Sequence, residues 1–162
     1  MRTWLLQREQ WVARPLAVVF DFFSRAENLG RITPPWLGFR IHTPLPIEMR
    51  VGTRIDYTIR LAGVPLRWRT AVTEWEPERR FVDVQERGPY ALWEHTHEFA
   101  ERGGGVLVTD RVRYALPLGP LGRAAHALAV RAALAAIFDF RFQRVRELLC
   151  DAGDPREPGP GA

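Results

Sequence analysis

Five successive runs between Thr53 and Leu116 alternate apolar and polar residues with period two, and only short turns carrying Gly or Pro separate them. Successive side chains on a strand point to opposite faces, so each run reads as a half-buried strand. In TRIDYTIRLAG, Ile55, Tyr57, Ile59 and Leu61 share one face, while Arg54, Asp56, Thr58 and Arg60 share the other. LRWRTAVTEW sets Trp68, Thr70 and Val72 against Arg67 and Arg69, and RFVDVQE comes next. ALWEHTHEFAE and VLVTDRVRYAL complete the set; the last has Val106, Val108, Asp110, Val112 and Tyr114 on one face. Connections this short make an antiparallel meander.

A sheet with one apolar face must be covered, and the remaining sequence offers one long element to cover it. After Pro117 and Pro120 the period changes, and residues 121 to about 149 read as one helix. Its buried face is Leu134, Phe138, Phe142, Val145 and Leu149, spaced four, four, three and four. The first half is alanine-rich, from Ala124 to Ala136. If those alanines face the sheet they leave space, and empty core volume costs about 24 cal/mol per Å³. Such space is expected to be kept for a ligand or closed by tight packing.

Ahead of the meander, TWLLQREQWVA is a first strand, and Pro15 suits the first turn of a helix that buries Leu16, Val19, Phe20 and Phe23. Asn28, Gly30 and Pro34–Pro35 break that helix off and leave room for a second short helix or loop. The expectation is an α+β fold in one domain, residues 1–150, with a disordered Pro/Gly-rich tail at 151–162.

Several function classes drop out on composition. All 23 basic residues are arginine, so there is no lysine for a Schiff base, a pyridoxal-phosphate linkage or a Walker-type loop. Ser24, the one serine, lacks the glycine-flanked turn of a nucleophile elbow, and a single cysteine, Cys150, supplies neither a disulfide nor a zinc cluster. No uninterrupted apolar run reaches the roughly 18 residues of a membrane span, and the N-terminus lacks a signal pattern, so a cytoplasmic protein is expected. The net charge of +4 comes from scattered arginines, which does not point to nucleic acid as the partner.

In ALWEHTHEF, the residues Trp93, His95, His97 and Phe99 fall on one strand face. If the aromatic rings point inward, both histidines do too. Asp110 then points inward from the adjoining strand, with Phe81, Asp83 and Gln85 as a third set whose register competes with Val82 and Val84. A buried carboxylate near imidazole needs a hydrogen bond or ion pair. The cluster can be a network that orients a ligand, a general acid/base pair, or an H-x-H chelate completed by Asp110 or Asp83. The network is the preferred reading, with no metal and no cofactor.

The element order, a strand, two short helices, six strands and a long C-terminal helix, resembles the helix-grip fold of the START/polyketide-cyclase superfamily, also called SRPBCC. Residues 3–149 carry the likeness, through PLAVVFDFFSRAENLGRITPPW, FVDVQERGPYALWEHTHEF, TDRVRYALPLG and the final FDFRFQRVREL. The hairpin and strand-end motifs are most similar to a bacterial branch whose members occur alone or joined to sugar-nucleotide-epimerase-like domains, and no such second domain is expected within these 162 residues. The resemblance implies a curved antiparallel sheet of six to seven strands wrapped around the C-terminal helix, with a cavity between them. That cavity would hold an apolar or aromatic small molecule, lipid-like or polyketide-like. Expected ligand-contacting residues are Tyr57, Trp68, Gln85, Trp93, His95, His97, Asp110, Tyr114, Phe138 and Phe142. Two alternatives stand beside this binding role. One is a cyclase/aromatase-type enzyme in which His95 or His97 moves a proton and Asp110 or Tyr114 assists. The other is an accessory protein that binds an anionic partner through Arg54, Arg60, Arg67, Arg69, Arg111 and Arg113 on the outer sheet face. The sequence does not specify an oligomeric state.

Overall fold

The structure is a computed structural model that describes residues 1–61 and 63–151, the last without its side chain. The Pro/Gly-rich tail otherwise lies outside the described residues. Strand β1 (Trp4–Val12) leads into α1 (Leu16–Ser24), which starts directly after Pro15. Helix α2 (Ala26–Leu29) and two single 3₁₀ turns, Gly30–Ile32 and Pro35–Leu37, bring the chain to the short strand β2 (Arg40–Ile41). The meander then runs through β3 (Arg54–Leu61), β4 (Val64–Glu76), β5 (Arg80–Arg87), β6 (Leu92–Arg102) and β7 (Gly105–Ala115).

All seven strands form one antiparallel sheet in the order β1-β7-β6-β5-β4-β3-β2. β1 returns to pair with β7 because the helical segment carries the chain across one end of the sheet. Two register shifts interrupt the β4–β5 ladder, between Arg69 and Thr70 and between Val72 and Glu74. An extra residue on one strand bends it and raises the local twist.

The closing helix departs from a single regular element. It comprises α3 (Gly119–Ala125), a wide π turn at His126–Val130, α4 (Arg131–Arg146) and a second π turn at Glu147–Asp151. The inserted turn lets Gly122, His126, Leu134 and Phe138, at multiples of four, stay buried on one side. The alanines do not face the sheet: Ala124, Ala125, Ala127, Ala129, Ala132, Ala133 and Ala136 are exposed. The cavity under α4 is therefore not made by alanine, since none of these alanines lines it.

Phe142 also departs from the expected face, being 41% exposed where Phe138 is 5% exposed. Each step of four overshoots a full turn by about 40°, so Phe142 stands about 80° from Leu134, whereas the step of three brings Val145 back. The core splits in two. Val12, Val19, Phe20, Phe81, Phe99, Val106 and Val145 pack at one end of the sheet, and Val112, Tyr114, Leu134 and Phe138 pack at the other.

Candidate functional site

The gap between these two clusters, under the middle of α4, is a cavity of about 190 Å³. Its walls come from four directions: Phe22, Phe23 and Leu29 from α1 and α2, Tyr57 and Trp68 from β3 and β4, Trp93 from β6, and Leu134 and Phe138 from α4. The aromatic floor is continuous. Tyr57 stacks on Trp68 at 5.8 Å, and Trp68 meets Trp93 edge-on at 5.3 Å. Thr70 fixes this wall, because its hydroxyl accepts from Trp68 Nε1 at 3.1 Å and lies 3.4 Å from the Tyr57 hydroxyl. Burial pushes the Tyr57 phenol well above its ordinary value, so it stays neutral.

Asp83, His95, His97 and Arg141 form a polar cluster within the lining. His95 and His97 do share the inward face of β6, with 5% and 4% exposure, and Asp110 lies opposite His97 on β7. Asp83 lies opposite His95 on β5. The hydrogen bonds run diagonally across the ladder, where long side chains reach. His95 Nε2 bonds Asp110 Oδ1 at 3.0 Å, and His97 Nε2 bonds Asp83 Oδ2 at 3.2 Å. His97 Nδ1 also lies 2.8 Å from Asp110 Oδ1, but the approach is off the N–H direction, leaving that nitrogen without an in-line acceptor. The two imidazole rings meet at a tilt of 36° with centroids 3.8 Å apart, and Phe81 stacks on His97 at 4.2 Å.

Arg141, which the sequence patterns did not single out, completes the cluster. It lies on α4 and lines the cavity with its Nε 3.9 Å from Asp110 Oδ2, and its guanidinium lies over Phe23 and Phe138. Its Nε is buried and has no hydrogen-bond acceptor among the described residues. The helical spacing contained this position, since Arg141 is three residues after Phe138 and four before Val145.

Burial opposes charge on His95, His97 and Asp110, and the pairings decide which of the three carry it. Asp110 is held well below the usual carboxylate range: Arg141, then His95 and His97, outweigh its desolvation. For His97 burial is likewise the largest influence, yet the two carboxylates beside it, Asp110 and Asp83, overcome it and raise its pKa. Burial, with the neighbouring His97, lowers the pKa of His95. The site therefore presents a charged guanidinium and a readily protonated imidazole beside a neutral imidazole. Asp83, His95 and His97 offer ligand atoms within 4.8 Å of one another, three of the four that a tetrahedral ion takes. A metal would have to displace the His97 proton and bind beside the Arg141 charge, so the set fits proton-holding better.

The other expected site residues lie elsewhere. Gln85 is on β5 but spends its amide on the backbone of Tyr90, donating to the carbonyl at 2.8 Å and accepting from the amide at 3.2 Å. Gly88 permits this fold-back, since a Cβ there would meet Gln85 Oε1 at 2.3 Å. Tyr114 turns its hydroxyl to His126 Nε2, 2.9 Å away, on a separate groove between β1 and the helix. Phe142 does not line the cavity but a small adjoining crevice beside Gln10, which shares Phe138 and Arg141 with it. On the outer sheet face, Arg54, Arg69, Arg111 and Arg113 pair with Glu86, Asp56, Glu98 and Glu94 at 2.8–2.9 Å, while Arg60 and Arg67 are exposed and have no ion-pair partner among the described residues.

The family model described as polyketide cyclase/dehydrase and lipid transport matches residues 12–138. Among solved structures, TTHA0849 from Thermus thermophilus is 19% identical, with a TM-score of 0.63 over 89% of this chain and 98% of that one. The Zhui aromatase/cyclase from Streptomyces sp. R1128 is 14% identical, with a TM-score of 0.65 over 94% and 99%. Ginseng major latex-like protein 151 from Panax ginseng is 11% identical, with a TM-score of 0.63 over 91% and 98%. These likenesses establish the helix-grip fold. No curated protein matches the chain.

Proposed function

Since the chain belongs to the polyketide cyclase/dehydrase and lipid transport family, whose members point to hydrophobic ligand binding or a cyclase role, we propose that it binds a compact aromatic molecule bearing an acceptor oxygen. The observation that carries this reading is Arg141, which lines the cavity while its buried Nε, 3.9 Å from Asp110 Oδ2, has no hydrogen-bond acceptor among the described residues. A buried, unpaired donor costs about 1–3 kcal/mol, more when charged, and a carboxylate, phenolate or carbonyl oxygen on the ligand would satisfy it. Volume argues for a compact ligand. About 190 Å³ is close to an engineered apolar cavity of about 150 Å³ that takes up benzene, and below the several hundred Å³ usual for larger ligands. Tyr57, Trp68, Trp93 and Phe138 would clasp the ring, and His97 would donate to a second oxygen.

Cyclase-type chemistry is the second reading, favoured by one observation: neighbouring imidazoles whose pKa values are displaced in opposite directions, an arrangement that separates an acid from a base. There, neutral His95 would take a proton from an activated carbon of the ligand and His97 would protonate the developing oxyanion. Calorimetric titration with benzoate, phenol, toluene and decanoate tests the binding reading. Benzoate and phenol are expected to bind saturably, with Arg141→Gln weakening benzoate at least tenfold and sparing toluene. Preference for decanoate, or an Arg141→Gln variant that binds benzoate as the wild type does, would overturn it.

A further inference from the structure

We infer that the exposed side of the closing helix, around α3 and the wide turn after it, docks on an anionic bilayer surface. Leu118, Leu121 and Leu128 would enter the interface, and Arg2, Arg123 and Arg131 would meet lipid phosphates. Leu118, Leu121 and Leu128 are 74%, 71% and 85% exposed, three large apolar side chains within eleven residues that the fold leaves in water. The helix from Gly119 to Cys150 is apolar and long enough by composition to cross a membrane, yet only 22% of its most apolar stretch is buried. A core helix buries its apolar face, and this one buries a single side of Leu134, Phe138 and Val145. Those residues hold it on the sheet, so lying on a surface suits it and spanning does not.

Charge selects the occupant. From Arg111 to Phe138 the chain has no acidic residue. Among the described residues no carboxylate pairs with Arg2, Arg123 or Arg131, whereas Arg54, Arg69, Arg111 and Arg113 on the sheet face each have a Glu or Asp partner. The three line a groove of about 760 Å³ between β1 and the helix, together with Trp4, Tyr114 and His126. Trp4 lies flat on His126 at 4.0 Å, with Arg2 over the indole. Burial, then Arg131 and Arg2, depress the His126 pKa, which reports a positive potential in the groove. A second copy of the chain would bring the same arginines to the same face, since a twofold contact pairs a surface with itself. An anionic bilayer supplies both the missing charge and an apolar layer for the leucines.

The test is co-sedimentation of the full chain with vesicles of phosphatidylcholine alone or mixed with phosphatidylglycerol, at low and at physiological salt. Binding is expected only to the mixed vesicles and to weaken with salt. Arg123→Gln with Arg131→Gln should reduce partitioning roughly 30-fold, about fivefold per charge. Leu121→Asp with Leu128→Asp should abolish it; both sites are exposed, so circular dichroism should stay that of the wild type. Equal binding to both vesicles, or none to either, overturns the proposal. So does a dimer in light scattering that the Leu128→Asp substitution dissolves while vesicle binding is absent.

Discussion

The rings of His95 and His97 lie 3.8 Å apart, and the site drives their protonation in opposite directions. His97 stands between Asp110 and Asp83, while His95 has only Asp110 and the burden of its charged neighbour.

Histidine titration by NMR should therefore give a value above 6.5 for His97 and below 6.5 for His95. The stability that His97 contributes is complete below its unfolded value and is lost as pH rises through the higher folded value. His95 has the opposite sign, costing stability as pH falls from its unfolded value toward its lower folded one. Urea midpoints measured across this window should thus decline on both sides, and His97→Gln should remove the alkaline decline. Coincident titration of both rings would contradict this account.

Asp110→Asn deprives Arg141 and His97 of their shared counter-charge in a buried setting. Removing one partner of a buried pair costs about 3–5 kcal/mol. Urea unfolding should show a loss of that size, and one below about 1 kcal/mol would mean the cluster is hydrated.

Thr70→Val keeps the shape but leaves the Trp68 indole N–H without its acceptor and the Tyr57 hydroxyl without its neighbour. A destabilisation of about 1–3 kcal/mol is expected, with a shift in tryptophan emission. An unchanged midpoint would show that the aromatic wall does not depend on this hydroxyl.

Phe138→Ala should cost about 3–5 kcal/mol and Phe142→Ala less than about 1 kcal/mol, although the two sit at equivalent steps of the same sequence pattern. Paired denaturation curves decide, and equal losses would put Phe142 back in the core.

Much of this architecture is legible in the sequence because a strand's period is short and rigid. Once Trp93 and Phe99 face inward, His95 and His97 must do the same, and antiparallel pairing brings Asp110 and Asp83 beside them. Helix readings are weaker, since angular error accumulates along the element. A pattern of fours runs off the buried face at Phe142, and the wide turn at His126–Val130 has no sequence mark. Alanine is ambiguous because a small apolar residue suits solvent and close packing alike. Arg141 is hard to read because a charged residue on a helix is usually exposed, and only the tertiary fold shows that a buried carboxylate awaits it. Strand face alone places Gln85 and Tyr114 in the site, and each instead turns its polar end to a neighbour in the fold.

The most direct test of the ligand site is an NMR titration of protein labelled at arginine Nε and the histidine rings, with benzoate as probe. Saturable shifts are expected at Arg141 Nε–H and the His97 ring, and they should disappear in Arg141→Gln. Shifts confined to Arg2, Arg131 and His126, or no saturable shift at Arg141, would contradict it.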